Sequence, residues 1–239
     1  MTKITQAADL IISGSGSTSG GIFHNVKISG SGKVGGDIEC SRFQTSGSSR
    51  INGNVKSENM KISGNSKILG SLTSETMDIS GSITIDGNAD VKSIHISGFS
   101  RIKGNIKSEM VSLSGNIKLF GSLESDSVHL KGGFMIQDLL SADEITIGIG
   151  GDCKVKEIGC GTLKVTKRTF GLDILSKLFS KHLITDQIEG DDIYLEYTKA
   201  KTVRGNRVTI GSGCEIEHVE YKDHFSKAGD AIVKHSEKI

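Results

Sequence analysis

The chain has no proline and no tryptophan, and only three tyrosines and eight phenylalanines among its 239 residues. Without proline, collagen-like and polyproline II architectures are excluded. The same absence suits a chain in which every backbone N–H is needed by a hydrogen-bond ladder, because proline has none to donate. With so little aromatic area, the core has to be built from aliphatic side chains. Neither sign of charge dominates: 29 Lys and Arg stand against 28 Asp and Glu, a net charge of +1. That balance argues against a protein that coats nucleic acid by bulk charge. No apolar run approaches the roughly 18 residues of a membrane span. The run Leu10, Ile11, Ile12 is too short for the apolar region of a signal peptide. The four cysteines, Cys40, Cys153, Cys160 and Cys214, form no C-x-x-C pair. Such usage fits reduced thiols in a cytosolic protein.

What the chain does have is glycine, 31 residues of it, placed periodically. Gly30, Gly47, Gly64, Gly81, Gly98, Gly115 and Gly132 follow one another at intervals of 17. A second column, Gly36, Gly53, Gly70, Gly87, Gly104 and Gly121, keeps the same step. Four further columns are apolar. Counted from the first glycine they lie at −4 (Val26, Phe43, Met60), −2 (Ile28, Thr45, Ile62), +4 (Val34, Ile51, Ile68) and +8 (Ile38, Val55, Leu72). They run on to Leu130, Ile136 and Leu140, and Thr45 is the one polar member of all four.

Residues at −4 and −2 share a face only on a strand, where side chains alternate. The segments between glycines are too short for helices. Each repeat therefore reads as one turn of a coil of short strands, with its corners at glycines able to take positive φ. Stacked turns place like residues over like, so apolar columns fill the interior and polar columns become external ladders. The aliphatics of a single turn do not offset the entropy of ordering it, and stability has to come from the stack. The expected fold is an all-β parallel β-helix, or β-solenoid. The inward steps of 2, 6, 4 and 5 residues do not follow a hexapeptide code, which favours a right-handed coil.

The columns divide the chain. Residues 1–25 read as an N-terminal segment with a degenerate first turn, in which Leu10 and Ile12 precede Val26 and Ile28 by 16 residues. Residues 26–166 form the main β-helix, with a register shift after Ile147. In residues 167–187 the period changes: Phe170, Ile174 and Leu178, and likewise Leu175, Phe179 and Leu183, recur at i+4. That spacing predicts an inserted amphipathic helix with Lys177, Lys181 and His182 on its polar face. The helix either lies on the solenoid or offers Phe170, Ile174, Leu175, Leu178 and Phe179 to a membrane or a partner. Strand pattern returns in residues 188–221, and residues 222–239 read as a loose charged tail.

Catalytic signatures are missing. His95 and His129 share an outward column two turns apart, too far to share a metal ion. Cys153 and Cys160 lack a matching pair for zinc. Gly30-Ser31-Gly32-Lys33 resembles part of a P-loop but has no Ser or Thr after the lysine. The serines that precede the corner glycines (Ser29, Ser46, Ser63) suit turn hydrogen bonding. No catalytic, cofactor-binding or metal-binding residue is read from the sequence, and the expected cofactor is none. The external columns are more informative. Lys33, Arg50, Lys67, Thr84, Arg101 and Lys118 make a basic stripe, while Glu58, Glu75, Lys92, Glu109, Asp126 and Asp143 are mostly acidic. Either the stripes solvate two edges, or they guide filament contacts or bind an anionic surface.

The 17-residue glycine and aliphatic turn from Val26 to Ile147, with the stretches KISGNSKILGSL (Lys61–Leu72) and RIKGNIKSE (Arg101–Glu109), resembles the bactofilins, bacterial polymer-forming cytoskeletal proteins. RGNRVTIGSGCEI (Arg204–Ile216) is similar to their longer relatives. The resemblance implies a right-handed β-helix that stacks end to end into filaments without nucleotide. It also implies a cytoplasmic scaffold for cell-envelope, cell-shape or motility (flagellar) machinery. The implied partners are copies of the chain itself, a paralogue, the inner membrane surface and envelope or motility proteins, with no nucleic acid and no small-molecule substrate. Residues expected to stack at the ends are Ile28, Val34 and Ile38 on one side and Leu130, Ile136 and Leu140 on the other. The chain departs from the family in lacking proline-rich tails and in its insert. A β-helix enzyme, either an acyltransferase or a polysaccharide-active protein, and a membrane-associated adaptor are the alternatives.

Overall fold

A computed structural model describes residues 7–167 and 181–239. It divides into two units, residues 1–121 and 122–239. Every strand pairing with a defined register is parallel, and each unit is a β-solenoid with no helix among the described residues. No helix there is long and apolar enough to cross a membrane.

In the first unit an eight-residue strand alternates with a four-residue strand: Gly21–Ile28, Ser31–Val34, Ile38–Thr45, Ser48–Ile51, Val55–Ile62, Asn65–Ile68. Register follows the 17-residue period. Ile28 lies opposite Thr45, Thr45 opposite Ile62 and Ile62 opposite Ile79. Val34 lies opposite Ile51 and Ile51 opposite Ile68. The shorter first turn is also in register, with Leu10 opposite Val26 and Ile12 opposite Ile28. In Val55–Ile62 the buried residues are Val55, Ser57, Met60 and Ile62. In–out alternation therefore slips once, at Glu58 and Asn59, and that double step bends the strand around the core.

The interior holds six columns rather than four. The two additional ones lie at +2 (Ser49, Ser66, Ile83, Ser100, Ile117) and +10 (Cys40, Ser57, Ser74, Val91), and all of these residues are buried. Four of these serines find partners in the stack: Ser49 Oγ and Ser66 Oγ are 2.8 Å apart, and Ser57 Oγ and Ser74 Oγ 3.0 Å. Thr45, the polar member of the −2 column, donates its hydroxyl to the Ile28 carbonyl at 3.2 Å.

The corner glycines are needed for a different reason from the one expected. Among the described glycines only Gly20, Gly21 and Gly213 have positive φ. At Gly47 the requirement is proximity: a Cβ there would lie 2.0 Å from the Gly30 carbonyl oxygen of the preceding turn. The chain passes so close because Ser46 N–H and Gly47 N–H both donate to the Ile28 carbonyl, at 3.0 and 3.3 Å. Backbone N–H groups thus hold the turn at the serine–glycine step, and the serine hydroxyl adds a bond at Ser97, whose Oγ donates to the Ile79 carbonyl at 3.3 Å.

The second unit has longer strands: Leu123–Leu130, Gly133–Ile149, Cys153–Lys167, Leu183–Leu195, Thr198–Ile210, Glu215–Lys227 and Ile232–Lys238. Its period varies. Leu140 is 17 residues on from its partner Leu123, Cys153 is 19 on from Phe134, Leu183 is 30 on from Cys153 and Thr198 is 15 on from Leu183. The register shift expected after Ile147 is therefore present.

Two expectations for this unit need correction. Of residues 167–187, Lys167 ends one strand and Leu183–Gln187 begin the next. Leu183 completed an i+4 series, but it belongs to the alternation of Leu183 and Thr185, both buried. Phe170, Ile174, Leu175, Leu178 and Phe179 lie outside the described residues. The charged tail is also structured, since residues 222–227 and 232–238 are strand. Its backbone is held by ladder bonds such as Ile239 N–H to the Tyr221 carbonyl at 2.9 Å. Its side chains pair across turns, as Lys234 does with Glu217 at 3.1 Å. Composition concealed these strands because nearly all their side chains face outward.

Candidate functional site

For a stacked coil the surfaces with open chemistry are the outermost turns and the external ladders. Ile28, Val34, Ile38, Leu130, Ile136 and Leu140 are all buried members of the core ladder. They are not end residues. Ile28 lies between Ile12 and Thr45, Val34 between Thr18 and Ile51, and Ile38 between Gly21 and Val55. Leu140 lies between Leu123 and Ile158, Leu130 faces Ile147 and Ile136 faces Val155. Strands outside the regular 17-residue columns supply the turns beyond them, which is why the columns alone misplaced the ends.

The outermost described strands are Leu10–Ile12 and Ser15–Thr18 in the first unit and Ile232–Lys238 in the second. Leu10–Ile12 pairs only with Gly21–Ile28, and Ile232–Lys238 only with Glu215–Lys227, among the described residues. Each leaves one row of backbone N–H and C=O groups without a neighbouring strand among the described residues. Ile11 is 63% exposed and Ile232 58% exposed on these strands, and Ile239 is exposed beside the second. An open ladder edge flanked by exposed isoleucine is a template for a further strand.

The ladders stack as the sequence implies. Lys33 lies opposite Arg50 and Arg50 opposite Lys67, while Thr84 separates Lys67 from Arg101. Stacked like charges repel, and a neighbouring carboxylate relieves part of this. Asp86 reaches Lys103 Nζ at 2.8 Å and Lys67 Nζ at 3.8 Å. The hydrogen bond from Lys103, with the charges of Lys103, Lys67 and Arg50, holds the Asp86 carboxyl below its ordinary value. On the other stripe, Lys92 pairs with Glu75 at 3.4 Å.

A further external ladder was missed at +7. Asp37 Oδ1 accepts the Asn54 N–H at 2.7 Å, Asn54 Oδ1 the Ser71 N–H at 2.8 Å and Asn88 Oδ1 the Asn105 N–H at 2.9 Å. Each side chain thereby caps the backbone of the following turn. The Gly53–Gly121 column keeps that place open, since a Cβ on Gly70 would lie 2.4 Å from Asn54 Oδ1. The alternation of Asp and Asn with Ser at one column is the signal that could have revealed it.

The remaining candidates stay apart. Cys40, Cys153 and Cys214 are buried, Cys160 is half-buried, and all four are free. Burial pushes the Cys40 and Cys160 thiols up to about 12 and that of Cys214 to about 11, which suppresses the nucleophilic thiolate. His95 is exposed and His129 half-buried, both directed outward. A groove of the second unit, about 650 Å³, is lined by residues including Tyr194, Glu196, Asp192, Arg207 and His224. Its carboxylates are engaged: Glu196 accepts the Tyr194 hydroxyl at 2.7 Å and the Lys167 N–H at 3.0 Å, and Asp192 pairs with Arg207. One cluster combines imidazole and carboxylate donors, His218 with Glu220 and Glu237. Sequence reading passed over it because Glu237 lay in the supposed tail.

No known protein-family model matches the chain, and no solved structure does. An uncharacterized Bacillus subtilis (strain 168) protein, YhbE, is 60% identical over 231 residues, 96% of this chain and 98% of that protein. A second uncharacterized protein of the same strain, YhbF, is 45% identical over 85 residues, 35% of this chain and 34% of that one. Identity of that extent along nearly the full length of both chains makes this protein a member of the YhbE family.

Proposed function

We propose that the protein is a structural scaffold that assembles with copies of itself by apposing outermost turns. No enzymatic activity is part of this reading, and the coil is taken as right-handed. The observation that carries it is the open strand edge on Leu10–Ile12 and on Ile232–Lys238, each beside exposed isoleucine. Parallel ladders with like residues over like accept another turn of the same kind without rearrangement. A contact between two different surfaces of identical chains does not close on itself, so it propagates as a filament. Assembly of this type needs only burial and backbone hydrogen bonds, and therefore no nucleotide. The resemblance of the repeat to bactofilins supports the same reading and extends it to organising cell-envelope, cell-shape or motility machinery.

The test is sedimentation of the purified full-length protein beside Ile12→Arg. Ile12 ends an interior column on the first described turn, opposite Ile28. A guanidinium there places a charge where the next turn would stack. The wild type is expected to pellet equally with and without ATP or GTP, and the variant to stay in the supernatant with an unchanged circular dichroism spectrum. A wild type that never pellets, or one that does so only with nucleotide, overturns the proposal.

A further inference from the structure

The last two strands carry the same tripeptide pattern in register. His218 and Glu220 flank Val219, which is fully buried, so both project from the outer face of Glu215–Lys227. His235 and Glu237 flank Ser236 on Ile232–Lys238. Pairing sets His218 opposite His235 and Glu220 opposite Glu237. The result is a patch two strands wide, with imidazoles in one row and carboxylates in the next.

The distances suit a metal ion. His218 Nε2 lies 3.0 Å from Glu237 Oε1 and 3.5 Å from Glu220 Oε1. One donor atom from each of the three residues falls within 4.8 Å of the others. Zinc held tetrahedrally at about 2.0–2.2 Å sets its ligands roughly 3.3–3.6 Å apart, so small side-chain shifts from the 3.0 and 3.5 Å separations would accommodate it. The His235 ring is 6.5 Å from that of His218, centroid to centroid, and His235 is exposed, so rotation of its side chain brings a fourth donor.

Charge favours a cation as well. Glu220 and Glu237 are stacked like charges, and Arg204, which pairs with Glu220 through its other oxygen, lies on the far side in the preceding turn. Among the described residues, Glu237 pairs with the imidazole of His218. A divalent ion between the strands would neutralise both carboxylates and tie the outermost strand to its neighbour. The donor set, two imidazoles and two carboxylates with no sulfur, suits zinc or a similar first-row divalent ion rather than copper(I) or calcium.

We propose that His218, Glu220, His235 and Glu237 form a binding site for a divalent transition-metal ion, with zinc as the fitting occupant. The site is independent of the scaffold reading and would stand if that reading failed.

Equilibrium dialysis of the tag-free full-length protein against Zn2+ tests it, with X-ray absorption at the zinc edge to identify the donors. One ion per chain is expected, with nitrogen and oxygen neighbours that include imidazole. His218→Ala and Glu237→Gln should each weaken binding by at least about 10-fold, judged by what loss of metal-site residues commonly costs. The double variant His95→Ala/His129→Ala should leave it unchanged. Glu237→Gln preserves shape on an exposed strand, so it remains informative if His218→Ala fails to fold. Absence of bound zinc, sulfur at the zinc edge, or binding unaltered in Glu237→Gln would overturn the assignment.

Discussion

At the level of single residues, position in the stack decides what a polar group costs. Ser49 and Ser66 lie in register and hydrogen-bond each other inside the core. Ser100, in the same column, lies between Ile83 and Ile117, and its buried hydroxyl has no hydrogen-bond partner among the described residues. Ser100→Ala removes an unsatisfied donor and is expected to stabilise the protein by about 1 kcal/mol, read as a raised midpoint in denaturant unfolding. Asp86 is the contrasting case on the surface. Its folded carboxyl is held below the ordinary value, chiefly by the Lys103 hydrogen bond, so its stabilising effect is present above that ordinary value and lost as pH falls through the lowered one. The pair is solvent-accessible and screened, so Asp86→Asn should cost under about 1 kcal/mol at neutral pH. Acid unfolding curves of the two proteins should converge once the pH is below the lowered value.

At the level of elements, the aliphatic columns were legible because isoleucine, leucine and valine at a constant period have no other common explanation. The +2 and +10 columns were not, since serine reads as surface until the register shows it paired with serine. The glycine columns were legible as corners, but their cause lies in tertiary structure: the obstacle at Gly47 is a carbonyl of the preceding turn, which no local reading supplies. Gly47→Ala should therefore destabilise by several kcal/mol and lower the thermal midpoint steeply. Gly14→Ala, where an added Cβ meets nothing within 4 Å, should be close to neutral. Equal effects of the two substitutions would refute the close-approach explanation. The strands after Cys153 were harder to place because their offsets run from 15 to 30 residues, and a pattern sought at one period fails there. The His218-x-Glu220 and His235-x-Glu237 repeat was visible in principle, but it gains meaning only once the two strands are known to pair.

At the level of the whole molecule, neighbouring turns within each unit satisfy each other, and the proposed self-assembly rests on the outermost described strands. The core aliphatics named in advance as stacking residues turned out to be enclosed, because irregular turns continue the ladder past them. The chemistry of the ends is unchanged by that displacement: parallel edges still expose N–H and C=O groups that like strands can pair. Negative-stain electron microscopy of the purified full-length protein in nucleotide-free buffer tests this most directly. Unbranched filaments are predicted, and a uniform field of separate particles at a concentration where the protein is folded would contradict the account.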